Sequence, residues 1–412
     1  MPPLDPRFFR HEYGRLVAVL SRRFGLHNLA RAEDAAQSAL EAAVRAWPAE
    51  VPARPSAWLY RVAHNAMVSE LRTQTTRQRI LDNRTDEVPA WIDDAPRYDA
   101  EIHDGLLRML FVCCDPDLPR RGQLVLALKT LCGFGAHEIA QRLFVSTDSV
   151  YKTLQRARAR LRTQPDLIDT FDAVGAGERI GAVHTVLYVM FTEGHLSSTE
   201  DSDGIRRDLC DEAVRLSRLL YAHPLGRGST TAALVALMLL HLARLPGRVG
   251  TGGLLLLDEQ DRSLWDAAHI AEGLAWLERA ATDDSTVSRY HLDATIAAEH
   301  CTAASHEDTA WERIAQSYAL LERVEPSPLH RLSRAVAAAE AHGAAAGLAL
   351  LEGVAPPTWL EGSATWWAVL ADLERRAGDR AAACRHRDLA LRLAPTEAVR
   401  ALIWRRWRSA AT

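Results

Sequence analysis

The 412-residue sequence lacks the patterns that mark several large classes of protein. Its six cysteines include no CxxC pair and no accompanying histidine cluster, so neither a structural zinc site nor a disulfide framework is predicted, and a reducing compartment is indicated. The N-terminal MPPLDPRFFRHEYGR has no apolar core, so no signal peptide is predicted. The most apolar stretch, TTAALVALMLLHLARL (230–245), is too short to span a bilayer and is expected to form a buried helix. We therefore expect a cytoplasmic protein without a membrane segment.

Neither positive nor negative charge dominates the chain, but the two are unevenly distributed along it. The formal net charge of −4 argues against a protein that coats nucleic acid over its whole surface. Residues 1–170 carry 24 Lys and Arg against 21 Asp and Glu, whereas the remainder carries 25 against 32. A local basic site is therefore compatible with the N-terminal half, and the C-terminal half is acidic.

Alternating strand patterns are nearly absent, which favours an all-α fold. Alanine, leucine and arginine dominate, and apolar residues recur at spacings of three and four. Residues 82–104 break this pattern with prolines, six aspartates and two glutamates, so they are predicted to be an acidic linker. A looser second linker covers 165–178, and helical hairpins are expected over 179–412.

The last hairpin has the spacing of a tetratricopeptide unit. The matching positions are Trp367, Leu370, Ala371, Gly378, Ala383, Ala390 and Pro395. Gly343, about one repeat length upstream, indicates a second, degenerate unit. Such repeats form scaffolds and peptide-binding grooves, so a protein or peptide partner is one expectation for them.

The segment HEIAQRLFVSTDSVYKTLQRARARL (137–161) has the pattern of a helix-turn-helix. Phe144, Val145 and Ser146 are predicted to form the turn, with Ser146 as N-cap of the second helix. Cations on that helix suit phosphates, and short polar residues near its start can reach base edges. The predicted DNA-facing residues are Thr147, Ser149, Tyr151, Lys152, Gln155, Arg156 and Arg158. A solvated basic helix in a bundle is the alternative.

Three blocks, taken in order, give the sequence a family resemblance. RAEDAAQSALEAAVRAW, PSAWLYRVAHNAMVSELRTQTTRQR and LVLALKTLCGFGAHEIAQRLFVSTDSVYKTLQRARARLR resemble the extracytoplasmic-function group of bacterial sigma factors. Further motifs, among them VHTVLYVMFTEGHLSS and LLLLDEQDRSLWD, resemble the C-terminal extension of one sigma-factor subgroup, whose tail is tetratricopeptide-like. The resemblance implies a region 2-like domain over 1–81, a region 4-like domain over 105–164 and the extension over 179–412.

The resemblance also implies which residues contact the partners, core RNA polymerase and promoter DNA. Polymerase docking is assigned to Glu33, Asp34, Gln37 and Glu41. Three of these four share one helical face, although a merely solvated acidic face is the alternative. Contact with the downstream promoter element and DNA melting are assigned to Trp58, Arg61, Asn65, Ser69, Arg72, Arg77 and Arg79. Asn65 suits base-edge reading and the arginines suit phosphates, whereas Trp58 has a core role as its alternative.

The resulting hypothesis is a sigma factor that is not an enzyme and needs no cofactor or metal. Its C-terminal domain is expected to regulate whether the sigma domains engage polymerase. The first alternative is a stand-alone helix-turn-helix regulator whose tail serves dimerisation or sensing. The second is an enzyme in the C-terminal half, with Glu193, His195 or His291 as acid or base, although a helix-end packing role is the simpler explanation of these residues.

Overall fold

The computed structural model describes residues 6–48, 50–82, 98–143, 145–164, 173–195, 207–250, 253–281, 287–395 and 397–409. Nearly all of these residues are helical, which confirms the predicted all-α fold. They form two compact units. The first consists of the chain up to Gly194 together with Asp211–Gly226, and the second consists of His195–Cys210 and the chain from Arg227 onward.

In the described residues, nine α-helices contribute to the first unit, and the last two of them also extend into the second. They are α1 (Pro6–Phe24), α2 (Leu29–Ala46), α3 (Pro55–Asp82), α4 (Tyr98–Cys113), α5 (Arg120–Thr130), α6 (Ala136–Arg142), α7 (Thr147–Arg162), α8 (Ala173–His195) and α9 (Arg207–Ala222). The helix α3 begins at Pro55, which suits this place because proline is pre-organised for the first helical position.

Small residues let α2 pack closely in the first unit. Ala32, Ala36, Ala39 and Ala43 recur at spacings of three and four on α2, and all four are fully buried. The side chains at these positions are short, so the neighbouring helices can approach α2 closely. The opposite face of α2 is left for polar residues.

Two glycines let α1 press against the turn between α5 and α6. A Cβ at Gly14 would lie 2.2 Å from the backbone oxygen of Leu131, which no side chain could tolerate. Gly133 has φ +68° and lies against the ring of Tyr13. The segments predicted as two sigma domains therefore contact each other directly inside the first unit.

The second unit adds ten further helices in the described residues. They are α10 (Ser229–Arg244), α11 (Ala267–Ala281), α12 (Arg289–Thr302), α13 (Trp311–Val324), α14 (Pro328–His342), α15 (Ala344–Leu351), α16 (Thr358–Glu361), α17 (Ala364–Ala377), α18 (Arg380–Leu393) and α19 (Glu397–Ser409). Two short antiparallel strands, β1 (Val249–Gly250) and β2 (Gly253–Leu254), are the exception to the helical fold of the described chain.

The apolar stretch forms α10 and lies in the core of the second unit. Every residue from Thr231 to Leu240 is buried. By length and composition alone, Ser229–Gly247 could cross a membrane, but 78% of its most apolar window is buried inside the protein. The prediction of a buried helix is confirmed.

The C-terminal hairpins have the turn glycines that the sequence indicated. Gly378 ends α17 with φ +95°, and Gly343 separates α14 from α15 with φ +89°. The buried tryptophan of this region is Trp366, which is 1% exposed and packs in a cluster with Leu332 and Leu373. Trp367, the residue singled out from the repeat spacing, is only half-buried and stacks on His386.

Candidate nucleic-acid interface

The helix α7 has the N-cap that the sequence predicted and buries one apolar face. The Ser146 hydroxyl accepts a hydrogen bond from the Ser149 backbone N–H at 3.2 Å, which confirms the N-cap. Its buried side chains are Val150, Leu154, Ala157 and Leu161. Because these four positions recur at helical spacing, the polar residues of α7 are directed to the other side.

Most of the α7 residues predicted to contact DNA are accessible. Tyr151, Lys152, Gln155 and Arg156 are exposed, and Tyr151 is exposed by 60% although it is a large aromatic residue. Thr147 and Ser149 are half-buried, and Arg121 donates to the Ser149 hydroxyl at 3.4 Å. Arg158 differs from the others, because it is paired with an acid. Phe144 of the predicted turn lies outside the described residues.

The helix α3 presents a continuous exposed polar face. Arg61, Asn65, Ser69 and Arg72 are all exposed at spacings of four, four and three, so they share one side of the helix. Trp58 is half-buried and packs edge-on against Trp47 with ring centroids 5.7 Å apart, which is the core role given as its alternative. The side chains of Arg77 and Arg79 lie outside the described part of the structure.

The predicted docking helix α2 exposes three of its four assigned residues. Asp34, Gln37 and Glu41 are exposed, and the Gln37 amide donates to Glu41 at 3.2 Å. An open groove of about 850 Å³ runs beside Gln37 and Glu41. Its other walls include Phe9, Tyr13, Val44 and Lys129. The acidic face of α2 is therefore bordered by a groove whose walls are partly apolar and partly cationic.

Glu33, the fourth residue assigned to docking, is buried instead of exposed. It is 3% exposed, forms an ion pair with Arg158 of α7 and accepts a hydrogen bond from the Thr130 hydroxyl at 3.0 Å. Burial raises the pKa of the Glu33 carboxyl, although Arg158 and Lys129 act in the opposite direction. A residue assigned to polymerase and a residue assigned to DNA are thus occupied with each other in this conformation.

The burial of Glu33 was missed by the sequence reasoning, but a signal for it exists. Glu33 follows Leu29 by four positions and precedes Ala36 by three, and both of these residues are buried. A polar residue on the apolar face of a helix requires a buried partner. The identity of that partner was not predictable, because Arg158 lies 125 residues further along the chain.

The candidates for an enzyme in the C-terminal half have structural roles or unfavourable surroundings. The Arg248 guanidinium lies 2.9 Å from Nδ1 of His195, and burial lowers the pKa of this histidine to about 2. The His291 ring lies 2.8 Å from the Ser288 hydroxyl and caps α12. Burial raises the pKa of Glu193. No catalytic arrangement is assembled from these residues within the described chain.

The sequence motif DEQDRSLWD also has a structural explanation. Arg262 donates to the carbonyl oxygens of His300 and Ala303 at 3.0 and 2.8 Å, so it closes the C-terminal end of α12. The acceptors of Arg262 in this cap are carbonyl oxygens and not the carboxylates of the motif. In the part of the chain that is described, no group of three or more His, Cys, Asp or Glu side chains could hold a metal ion.

Comparison with known families identifies the N-terminal part of the first unit. Residues 8–77, which include α2 and most of α1 and α3, match Sigma-70 region 2. Residues 179–281 match a family of unknown function, DUF6596. An uncharacterized protein of Rhizobium meliloti (strain 1021), R00370, is 37% identical over 350 residues, which cover 82% of this chain and 79% of the relative. No solved structure matches.

The chain therefore belongs to the family of this rhizobial protein. Its region 2 indicates a sigma-70 family sigma factor, which implies binding to core RNA polymerase and to promoter DNA. The sigma-factor family is not enzymatic and is typically cytoplasmic.

Proposed function

We propose that this protein is an RNA polymerase sigma factor of the extracytoplasmic-function type. In this proposal, α2 docks on polymerase through Asp34, Gln37 and Glu41, and α3 engages the downstream promoter element. The observation that carries the proposal is the exposed face of α3, where Arg61 and Arg72 flank Asn65 and Ser69. Cations at both ends can hold the DNA backbone while the amide and hydroxyl between them read an unstacked base.

The helices α6 and α7 form the second DNA-binding element of the proposal, a region 4-like helix-turn-helix. Four residues separate the two helices, and α7 exposes Lys152, Gln155 and Arg156 on one side. A capped, cationic helix of this kind can lie in a major groove, with phosphates held by the cations. This element would read the upstream promoter element.

The conformation described here is, in the same proposal, an inactive form. The Glu33–Arg158 pair joins the docking helix to the upstream-reading helix, and Gly14 and Gly133 let α1 close against the α5–α6 turn. Extending region 2 and region 4 along a promoter would require this contact to break. The energy for opening would come from polymerase and DNA contacts, and the C-terminal half would regulate the step.

Transcription with purified core polymerase tests the sigma role directly. The full-length protein is added to core enzyme on DNA from upstream of its own gene. We expect new transcripts that are lost with Asp34→Lys, because the substitution replaces an acid with a base and cancels the net negative charge of the docking face. Glu178→Lys is the matched control, since it makes the same charge change at an exposed position of α8.

The two outcomes separate the proposal from a stand-alone regulator. Transcripts that depend on Asp34 support the sigma role. Tight binding of the same DNA without polymerase, together with no transcripts, would instead favour the stand-alone regulator. The full chain is used because the first unit includes α8 up to Gly194, so a truncation near residue 180 would remove the buried Leu187 and Phe191 from its core.

A further inference from the structure

The second unit contains a cavity that the proposed sigma role does not use. Its volume is about 350 Å³, and its walls come from α14, α17, α19 and the segment that follows β2. Apolar side chains supply much of the lining: Leu256, Val336, Ala368, Leu373, Leu402 and Ile403. Apolar cavities of this size, with a few polar groups, are the usual form of small-molecule sites.

The charged residues at the cavity are already neutralised within the protein. Asp258 pairs with Arg406 at 2.5 Å, and Glu340 pairs with Arg376 at 2.6 Å. The third acid, Asp372, accepts from Arg375 at 2.7 Å. Each arginine at the cavity is therefore already paired with a carboxylate and is not available to an anionic ligand. The charge of such a ligand would also lose its hydration on entry.

One polar atom at the cavity has no hydrogen-bond partner in the described part of the chain. Nδ1 of His306 is enclosed and unbonded, while Nε2 of the same ring lies 3.8 Å from Glu340. A buried ring nitrogen without a partner is costly, because it has lost its water and gained nothing in return. The Nδ1 atom has almost no accessible surface, so the ring of His306 must turn before a ligand with a single hydrogen-bonding group could satisfy it.

The C-terminal helix α19 forms one wall of the cavity and is held by ion pairs. Arg406 pairs with Asp258, and Arg405 lies 2.9 Å from Glu259. All four side chains retain solvent exposure, so each pair contributes little to the stability of the closed arrangement. With α19 in place, a partly open space of this volume suits a small molecule better than an extended peptide.

From these features we propose that the cavity between α14, α17 and α19 binds a neutral, largely apolar small molecule with one hydrogen-bonding group. The volume supports a ligand of two or three fused or linked rings, or an acyl chain of similar size. For comparison, an apolar cavity of about 150 Å³ accommodates a benzene molecule. The proposal does not depend on the sigma role, and its test requires neither polymerase nor DNA.

Two fluorescent probes with the same ring skeleton test both the site and its charge preference. N-phenyl-1-naphthylamine is neutral and apolar and carries one N–H group, and 8-anilino-1-naphthalenesulfonate adds only a sulfonate. Titration of the full-length protein should give a saturable, one-to-one fluorescence increase with the neutral probe. The sulfonate should bind at least tenfold more weakly.

Variants that fill the cavity locate the binding. Ala368→Phe fills it from α17 and Ile403→Trp fills it from α19, so one variant remains informative if the other fails to fold. Each should weaken binding of the neutral probe at least tenfold, with a melting temperature that does not fall. Ala377→Phe, at an exposed position of α17, is the control and should bind like the unmodified protein. Non-saturable binding, equal affinity in the folded filled variants, or tighter binding of the sulfonate would overturn the proposal.

Discussion

The helices α3 and α7 both carry cations that we propose contact DNA, but one cation of α7 is already engaged by an acid inside the protein. On α3, Arg61 and Arg72 are exposed together with the polar residues between them. On α7, Arg158 is engaged by Glu33, while Lys152 and Arg156 remain exposed. The difference shows that charge on a helix does not by itself make a binding surface, because an internal acid can occupy part of it.

Within the first unit, the two helices differ in whether an internal contact must break before the proposed DNA contacts can form. In the proposed function, the exposed residues of α3 would contact DNA without breaking the Glu33–Arg158 pair, whereas Arg158 of α7 would do so only after its release from Glu33. Release would also expose Glu33 on α2, next to the proposed docking residue Asp34. Polymerase docking and upstream promoter reading are therefore expected to be coupled, and the α3 contact is expected to be independent of both.

The largest effect is expected from breaking the Glu33–Arg158 pair itself. Glu33→Ala should reduce the free energy of unfolding by about 3 kcal/mol, because it leaves the guanidinium of Arg158 largely buried without its acid. Arg158→Ala in the same background should cost much less than it does alone. Urea unfolding of the two single variants and the double variant measures this coupling.

The pair Arg160–Asp117 provides the matched control for that cycle. It joins the same helix α7 to another acid, but Asp117 is 63% exposed, so its coupling should stay below about 1 kcal/mol. Equal coupling energies for the two pairs would show that burial of Glu33 adds nothing, and the distinction between α3 and α7 would lose its energetic basis.

A smaller effect is expected from forcing α1 away from the α5–α6 turn. Gly14→Ala places a methyl group against the Leu131 oxygen and should destabilise the protein by about 2 kcal/mol through overpacking. The shift should also weaken the Glu33–Arg158 contact, which can be followed by increased hydrogen exchange of α7 relative to α3.

Gly177→Ala is the control for the substitution at Gly14. Nothing lies within 4 Å of a Cβ at Gly177, and alanine is favoured over glycine within a helix. This variant should be neutral or slightly more stable. If Gly14→Ala were equally neutral, the close approach of α1 to Leu131 would not hold the two segments together.

The features that were predictable from sequence are those that depend on neighbours along the chain. The Ser146 cap, the buried stripe of α7 and the positive φ of Gly378 follow from local chemistry and helical spacing. The Glu33–Arg158 contact depends on partners 125 residues apart, so helical periodicity carried no information about it.

The borders of the first unit could not be predicted from the sequence either, because they also depend on contacts between distant parts of the chain. A domain border at residue 179 fits the chain pattern and the start of the DUF6596 match, yet α8 up to Gly194 packs in the first unit. The Sγ of Cys132 lies 3.2 Å from the Sδ of Met190, for example. A helix with apolar residues on several sides can be buried by either neighbour, and only the tertiary structure decides which.

The salt dependence of DNA binding tests the difference between α3 and α7 by counting single phosphate contacts. Glu33→Gln keeps the shape of the side chain but removes its charge, which frees Arg158 for a phosphate. One added contact should steepen the slope of log affinity against log salt by about 0.9 and raise affinity about fivefold at physiological salt. Binding of one duplex, without polymerase, is measured by fluorescence anisotropy over a salt series.

The substitution Arg61→Gln on α3 serves as the reference for that series. It should reduce the slope by the same amount whether residue 33 is Glu or Gln, because the α3 face has no link to the buried pair. A slope that does not change with Glu33→Gln would mean that Arg158 reaches no phosphate even when its acid is neutral.

The smallest expected effect concerns how firmly α7 is held at its start. Ser146→Ala removes the acceptor for the Ser149 N–H and should cost about 1 kcal/mol of stability. Ser146→Asp should retain stability, because aspartate also caps and its charge suits the helix N-terminus. The same pair of substitutions at Ser69, in the interior of α3, should not reproduce this pattern, because a mid-helix residue has no terminal N–H to cap.

Loss of DNA affinity in Ser146→Ala that Ser146→Asp restores would show that the first turn of α7 must be ordered for binding. Unchanged affinity in both variants would place the DNA contacts of α7 further along the helix, near Gln155 and Arg156.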